Sequence, residues 1–214
     1  MTFPNAYSGV KKIFTSQILV LIGAILIGVA AVMGGATAVS TTNGTMNIDV
    51  AVGTTAGAAG VALVGSVLII VGYIINLVGL HQAGKDEKRY FKPAFIIAIV
   101  TLILAIVAGL FSDNATLQSV VSLISRVAEM FVIIFTIAGI GELANKLNRP
   151  QIASFGNKVL ILILVAQILA VIANMIGSGN AAAGMSIAGS ILAIVSYIAF
   201  LVYLSRGKNM LQSA

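Results

Sequence analysis

The sequence predicts an all-α, polytopic membrane protein. It has six transmembrane helices arranged as three related helical hairpins, with the N and C termini both cytoplasmic. Three observations lead there. The 214 residues are 59% hydrophobic and 8% charged, with a mean hydropathy of +1.11. A typical soluble domain is about 45–50% apolar and about 25% charged, and one this small could not hide so much apolar surface from water. The apolar residues also fall into six runs, each of a length to cross a hydrocarbon core that needs about 20 residues. Finally, the basic residues collect in alternate connections.

The first span, Ile13–Gly35, follows the basic pair Lys11 and Lys12. Ala36-Thr37-Ala38 looks like a signal-peptide cleavage site, but the apolar run from Ile18 to Met33 is long for a signal core of about 7–15 residues. Cleavage would also leave the second span, Gly57–Leu80, without a partner. Between them, residues 38–55 are rich in Thr, Gly and Val and read as a polar linker on the outer side. The third span is Pro93–Phe111, with Pro93 at a helix start, where a missing N–H costs nothing. The fourth, fifth and sixth spans are Leu117–Ile140, Val159–Ile176 and Ala182–Leu204.

The charges fix the orientation. Lys85, Lys88, Arg89 and Lys92 lie between spans two and three. Lys146, Arg149 and Lys158 lie between four and five, and Arg206 and Lys208 follow six. The connections after spans one, three and five hold no Lys or Arg. This is the positive-inside pattern, and it puts both termini in the cytoplasm. The net charge of +6 therefore reports topology and gives no support to nucleic-acid binding. His81 to Lys92, the most polar stretch, reads as a solvated turn carrying those topology determinants.

An internal repeat sharpens the architecture. The 16 residues from Gly65 to Leu80 match those from Gly189 to Leu204 at ten positions, including a Gly-Ser pair and Tyr73 with Tyr197. Ser125 to Ile140 matches more weakly. Phe91 precedes Ser125 by 34 positions and Phe155 precedes Gly189 by 34, whereas Phe14 precedes Gly65 by 51. The chain thus reads as one membrane domain, residues 1–214, of three hairpins near 11–80, 88–146 and 155–206, the first with a longer outer loop. Lipid solvates leucine as well as another helix does, so close helix contacts in a membrane need small residues. Gly65, Gly72 and Gly79 recur at sevens on the second span; Gly53, Gly57 and Gly60 extend them outward, and Gly23 with Gly28 forms a similar groove on the first.

The costly feature is Arg126 with Glu129 inside the fourth span. They sit three residues apart and share a helix face. A charge near the bilayer centre costs about 2.5–3.5 kcal/mol on insertion scales, so such residues are expected to face protein or water. In the repeat, Arg126 aligns with Ser66 and Ser190. With Ser125, and with Gln167 and Asn174 on the fifth span, these seven residues are the candidate binding set. Asn76 and Thr136 fall at matching positions nearer the cytoplasm and carry less weight.

Nothing in the chain points to catalysis. It has no cysteine and one histidine, His81, too few for a zinc site or an H-E-x-x-H helix, and no phosphate-binding glycine loop stands in context. No cofactor and no metal are expected. The expected role is structural or accessory in the cell membrane (a bacterial inner membrane by the plainness of the loops). The expected partners are the lipid bilayer and a second copy or another membrane protein. The alternative is a small-solute or ion transporter with its site around Arg126 and Glu129.

Overall fold

In the computed structural model the described residues are 3–33, 56–110, 115–176 and 180–213. They form six helices: α1 (Pro4–Met33), α2 (Ala56–Asp86), α3 (Lys88–Leu110), α4 (Ala115–Lys146), α5 (Pro150–Ile176) and α6 (Asn180–Gln212). No strand occurs among the described residues. Each helix contains a stretch long and apolar enough to cross a membrane. The expected linker 38–55 lies outside the described residues, as does Gly53.

Neighbouring helices run antiparallel. The closest associations are α1 with α2, then α5 with α6 and α3 with α4. Lighter contacts join α2 to α3, α4 to α5 and α1 to α6, so the helices close a circuit in chain order.

The helices continue well past the apolar runs, and the solvated turns expected from the sequence are mostly helix. At 1.5 Å per residue, the 31 residues of α2 span about 46 Å, against a hydrocarbon core of about 30 Å. Hydropathy marks only the portion that lipid would cover; tertiary capping carries the helix further. Between α2 and α3 only Glu87 is non-helical. Its N–H donates to the Ala83 carbonyl at 3.1 Å, continuing α2, while its Oε1 accepts the Arg89 N–H at 3.2 Å as the cap of α3. Between α4 and α5, Asn148 takes the left-handed conformation, with φ at 55°. The Arg149 N–H then reaches the Ala144 carbonyl at 2.8 Å and the Asn148 N–H reaches Asn145 at 3.0 Å. These two bonds satisfy carbonyls that a helix end would leave open, and Pro150 opens α5. Pro93 corrects an expectation: it lies inside α3, not at its start. Its missing N–H would have served the Arg89 carbonyl, which belongs to an exposed residue that water can reach.

Side-chain size sets the spacing within each hairpin. On α1, Gly9, Ser16, Gly23 and Ala30 recur at sevens; on α2, Ala58, Gly65, Gly72 and Gly79 do the same in the opposite direction. A Cβ on Gly23 would sit 2.6 Å from the Gly65 carbonyl oxygen, one on Gly72 3.0 Å from that of Ser16, and one on Gly79 2.8 Å from that of Gly9. Ser16, Ala30 and Ala58 are all buried, so four small-residue layers bring the two backbones together. Gly28, Gly57 and Gly60, which the sequence placed in the grooves, face open space instead. In the other hairpins an aromatic ring fills the equivalent gap. Phe91 lies against Gly139, where a Cβ would be 2.7 Å from the ring, and Tyr203 lies against Gly156 at the same separation. A ring between helices holds them further apart than two glycines do, which is why α1 and α2 make the tightest pair.

The contiguous core belongs to the end that carries both termini. It includes Val10, Ile13, Leu80, Phe91, Ile140, Leu143, Tyr203 and Leu204, all 0–1% exposed. The two connections at this end, α2–α3 and α4–α5, and the start of α1 are tied together by polar contacts. Asp86, at the end of α2, accepts from the Asn5 side chain and from the Ala6 N–H, both at 2.8 Å. It thereby caps α1, whose own residue at that place, Phe3, has no side-chain acceptor. Glu87, 5% exposed, pairs with Lys146 at the end of α4.

Candidate functional site

Burial orients α4. Val120, Leu123, Ile124, Val127 and Phe131 are exposed and fall on one stripe. With 3.6 residues per turn, Glu129 lies about half a turn round from that stripe, flanked by Ser125 and Arg126. The polar pair therefore faces the other helices, while the apolar stripe faces outward. Ser125 is 2% exposed and Thr136, about three turns further along the same inward face, is 3% exposed. The Thr136 hydroxyl donates to the Val132 carbonyl at 2.7 Å, within its own helix.

Arg126 and Glu129 are both partly buried, and the Arg126 Nε is shielded from solvent. The guanidinium lies within Coulombic reach of the Glu129 carboxylate, as does the Tyr73 hydroxyl of α2. One helix thus supplies both charges, one turn apart and turned toward protein rather than lipid.

The remaining candidates are spread over three other helices, α2, α5 and α6. Ser66 donates its hydroxyl to the Ala62 carbonyl at 2.9 Å, one turn back on α2. Ser190 is on an exposed face of α6, and Gln167 is partly buried on α5. Asn174 belongs to α5, but its side chain lies outside the described residues. The arrangement that stands on described geometry is therefore Ser125, Arg126 and Glu129 on a single face of α4.

Three tyrosines were missed as site-shaping residues. Tyr73 donates to the Ala98 carbonyl of α3, and Tyr197 donates to the Gln17 carbonyl of α1 at 2.7 Å. Tyr203 donates to the Ile137 carbonyl of α4 at 2.9 Å. Each gives a helix carbonyl a second hydrogen bond and locks one helix to another. The shared Tyr73 and Tyr197 of the repeat were the available signal, since a phenol inside an apolar run needs an acceptor.

Toward the termini the site has a floor. Ile140 is 11 residues beyond Glu129, roughly 16 Å along the helix, and there Leu80, Phe91, Ile140, Tyr203 and Leu204 are all fully buried. Chemically, the pair can neutralise itself, hold helix register, or engage a small charged group from the side away from that floor. Compared with protein-family models, curated proteins and solved structures, the chain matches none. The class of protein therefore rests on the six apolar helices alone, which define a multi-pass membrane architecture.

Proposed function

We propose that this chain is a non-enzymatic structural or accessory protein of the cell membrane, of bacterial inner-membrane type, with both termini cytoplasmic. Its three hairpins are related repeats around an axis along the membrane normal. The observation that carries the role is the closed apolar core beneath Arg126 and Glu129, which share the inward side of α4. A solute path would need polar lining through that level, and the residues there are Leu80, Phe91, Ile140 and Leu204, with the Tyr203 hydroxyl already bonded to a carbonyl. The repeat reading is supported by the burial of the aligned small residues Gly65, Ser125 and Gly189. It gains further support from Tyr73 and Tyr197, each of which bonds a carbonyl of a neighbouring hairpin. In this reading the partners are lipid and a second copy or another membrane protein.

A transport reading draws on one observation, the inward direction of Glu129 in a closed circuit of helices. A double-mutant cycle separates the two. Removing one member of a buried pair strands a charge and is strongly destabilising, about 3–5 kcal/mol, while replacing both by apolar residues is often neutral. The structural role predicts that Arg126→Met and Glu129→Met each destabilise the protein in detergent and that the double variant recovers wild-type stability. A transport site predicts instead that the stable double variant loses a solute flux that wild-type proteoliposomes display.

A further inference from the structure

At the end carrying the termini, the seam between α5 and α6 gathers features that the structural role does not use. Phe155 on α5 has the Arg206 guanidinium over its ring at 4.7 Å. Lys158 lies three residues further along α5, on the same helix face as Phe155. Both cations are exposed, and neither takes part in an ion pair among the described residues. Of the acidic residues at this end, Asp86 holds the start of α1 and Glu87 holds Lys146, while Glu142 lies on α4 rather than on this seam. Arg206 sits on the Phe155 ring, and Lys158 follows one turn further along the same face of α5, at the edge of the apolar region.

The surface leading away from them is apolar on both helices. Ile194, Ile198 and Val202 on α6 are 62%, 55% and 41% exposed, and they step by four residues straight to Arg206. On α5, Ile161 and Val165 are 60% and 43% exposed and begin three residues after Lys158. The surface is therefore amphipathic along its length: two cations at one end and a two-helix aliphatic strip beyond.

We propose that this seam binds an anionic phospholipid, with Lys158 and Arg206 on the headgroup phosphate and the acyl chains along Ile161, Val165, Ile194, Ile198 and Val202. The Phe155 ring holds the guanidinium in place before the lipid arrives, which lowers the ordering cost of binding. Juxtamembrane cations attract anionic headgroups individually; a fixed pair above an apolar strip discriminates by position as well as charge. This inference requires the helices to lie in a bilayer and is independent of whether the protein's role is structural or transport.

The test uses the full chain, purified in dodecyl maltoside and analysed by native mass spectrometry with equimolar phosphatidylglycerol and phosphatidylcholine. Wild type is expected to retain phosphatidylglycerol at least about tenfold over phosphatidylcholine, from about 1 kcal/mol per cation. K158A/R206A is expected to fall within twofold of no preference, and K158E/R206E to disfavour phosphatidylglycerol. The control K85A/R89A, on the α2–α3 connection, is expected to keep the wild-type ratio. A preference unchanged in K158A/R206A overturns the proposal. So does an equal loss in the control, which would mean diffuse attraction, or displacement of the lipid by millimolar inorganic phosphate, which would mean a phosphate site. Both cations are exposed and make no ion pair among the described residues, so the variants leave the core intact; helical content by circular dichroism verifies it.

Discussion

Gly23→Ala places a methyl carbon 2.6 Å from the Gly65 carbonyl oxygen and 2.6 Å from Cγ1 of Ile69, where ordinary contact begins at 3.4 Å. The carbonyl belongs to a helix backbone and cannot turn away. Relief therefore requires α1 and α2 to separate by roughly 0.8 Å, the difference between 3.4 and 2.6 Å. A gap of 0.5–1 Å already forfeits about a quarter to a half of each dispersion contact, and the loss extends to the neighbouring layers at Ser16–Gly72 and Ala30–Ala58. Overpacking of this kind costs about 1–3 kcal/mol, and no hydrophobic gain offsets it between helices already in lipid. We expect about 2 kcal/mol, a factor of about thirty in the unfolding equilibrium. Gly65→Ala should cost a similar amount, since its Cβ would be 2.8 Å from the Gly23 carbonyl oxygen. The two together should cost less than their sum, because one separation relieves both. The assay is thermal unfolding in dodecyl maltoside, followed by the near-ultraviolet signal of the five tyrosines. Gly28→Ala is the matched control, on the same helix but facing open space. A loss at Gly28 equal to that at Gly23 would refute the close-approach argument.

Gly139→Ala should destabilise by about 1–3 kcal/mol through collision with the Phe91 ring, and Phe91→Leu in that background should recover part of the loss; the same melting assay reads both. Tyr203→Phe removes the buried bond to the Ile137 carbonyl and should cost about 1 kcal/mol, leaving helical content unchanged by circular dichroism. Asp86→Ala uncaps α1 and should cost about 0.5–2 kcal/mol, with faster amide hydrogen exchange at Ala6 and Tyr7 as the local signature. Lys146→Ala strands the buried Glu87 carboxylate, so it should be more harmful than the double variant Lys146→Ala with Glu87→Gln, measured by the same melts.

The spans were legible because lipid imposes a composition that water does not: four helices contain their predicted apolar runs whole, and α1 and α3 contain theirs as far as Met33 and Leu110, where the described residues stop. Helix ends were less so. Asp86 caps a helix some eighty residues away in sequence, a partnership that no local window contains. The glycine stripe shows the same divide. Spacing on α2 identified Gly65, Gly72 and Gly79, but their counterpart on α1 reads Gly9, Ser16, Gly23, Ala30, and a search for glycine alone picks Gly28 instead. Arg126 and Glu129 stood out because charges in a span are rare. Their inward direction required knowing which face of α4 is exposed, which the low amphipathicity of an apolar helix does not reveal. The tyrosine locks were half visible, since the repeat marked Tyr73 and Tyr197 without naming the carbonyls they reach.

The proposed structural role is tested most directly at Ser125, which is 2% exposed beside Arg126 and on the same side of α4 as Glu129. The chain contains no cysteine, so Ser125→Cys introduces the sole thiol with little change in volume and leaves both charges in place. In sealed vesicles treated from either side with a charged, membrane-impermeant thiol reagent, a structural bundle predicts no modification until the protein is denatured. Rapid modification from one side would reveal an aqueous path to the pair and would contradict the structural role in favour of transport.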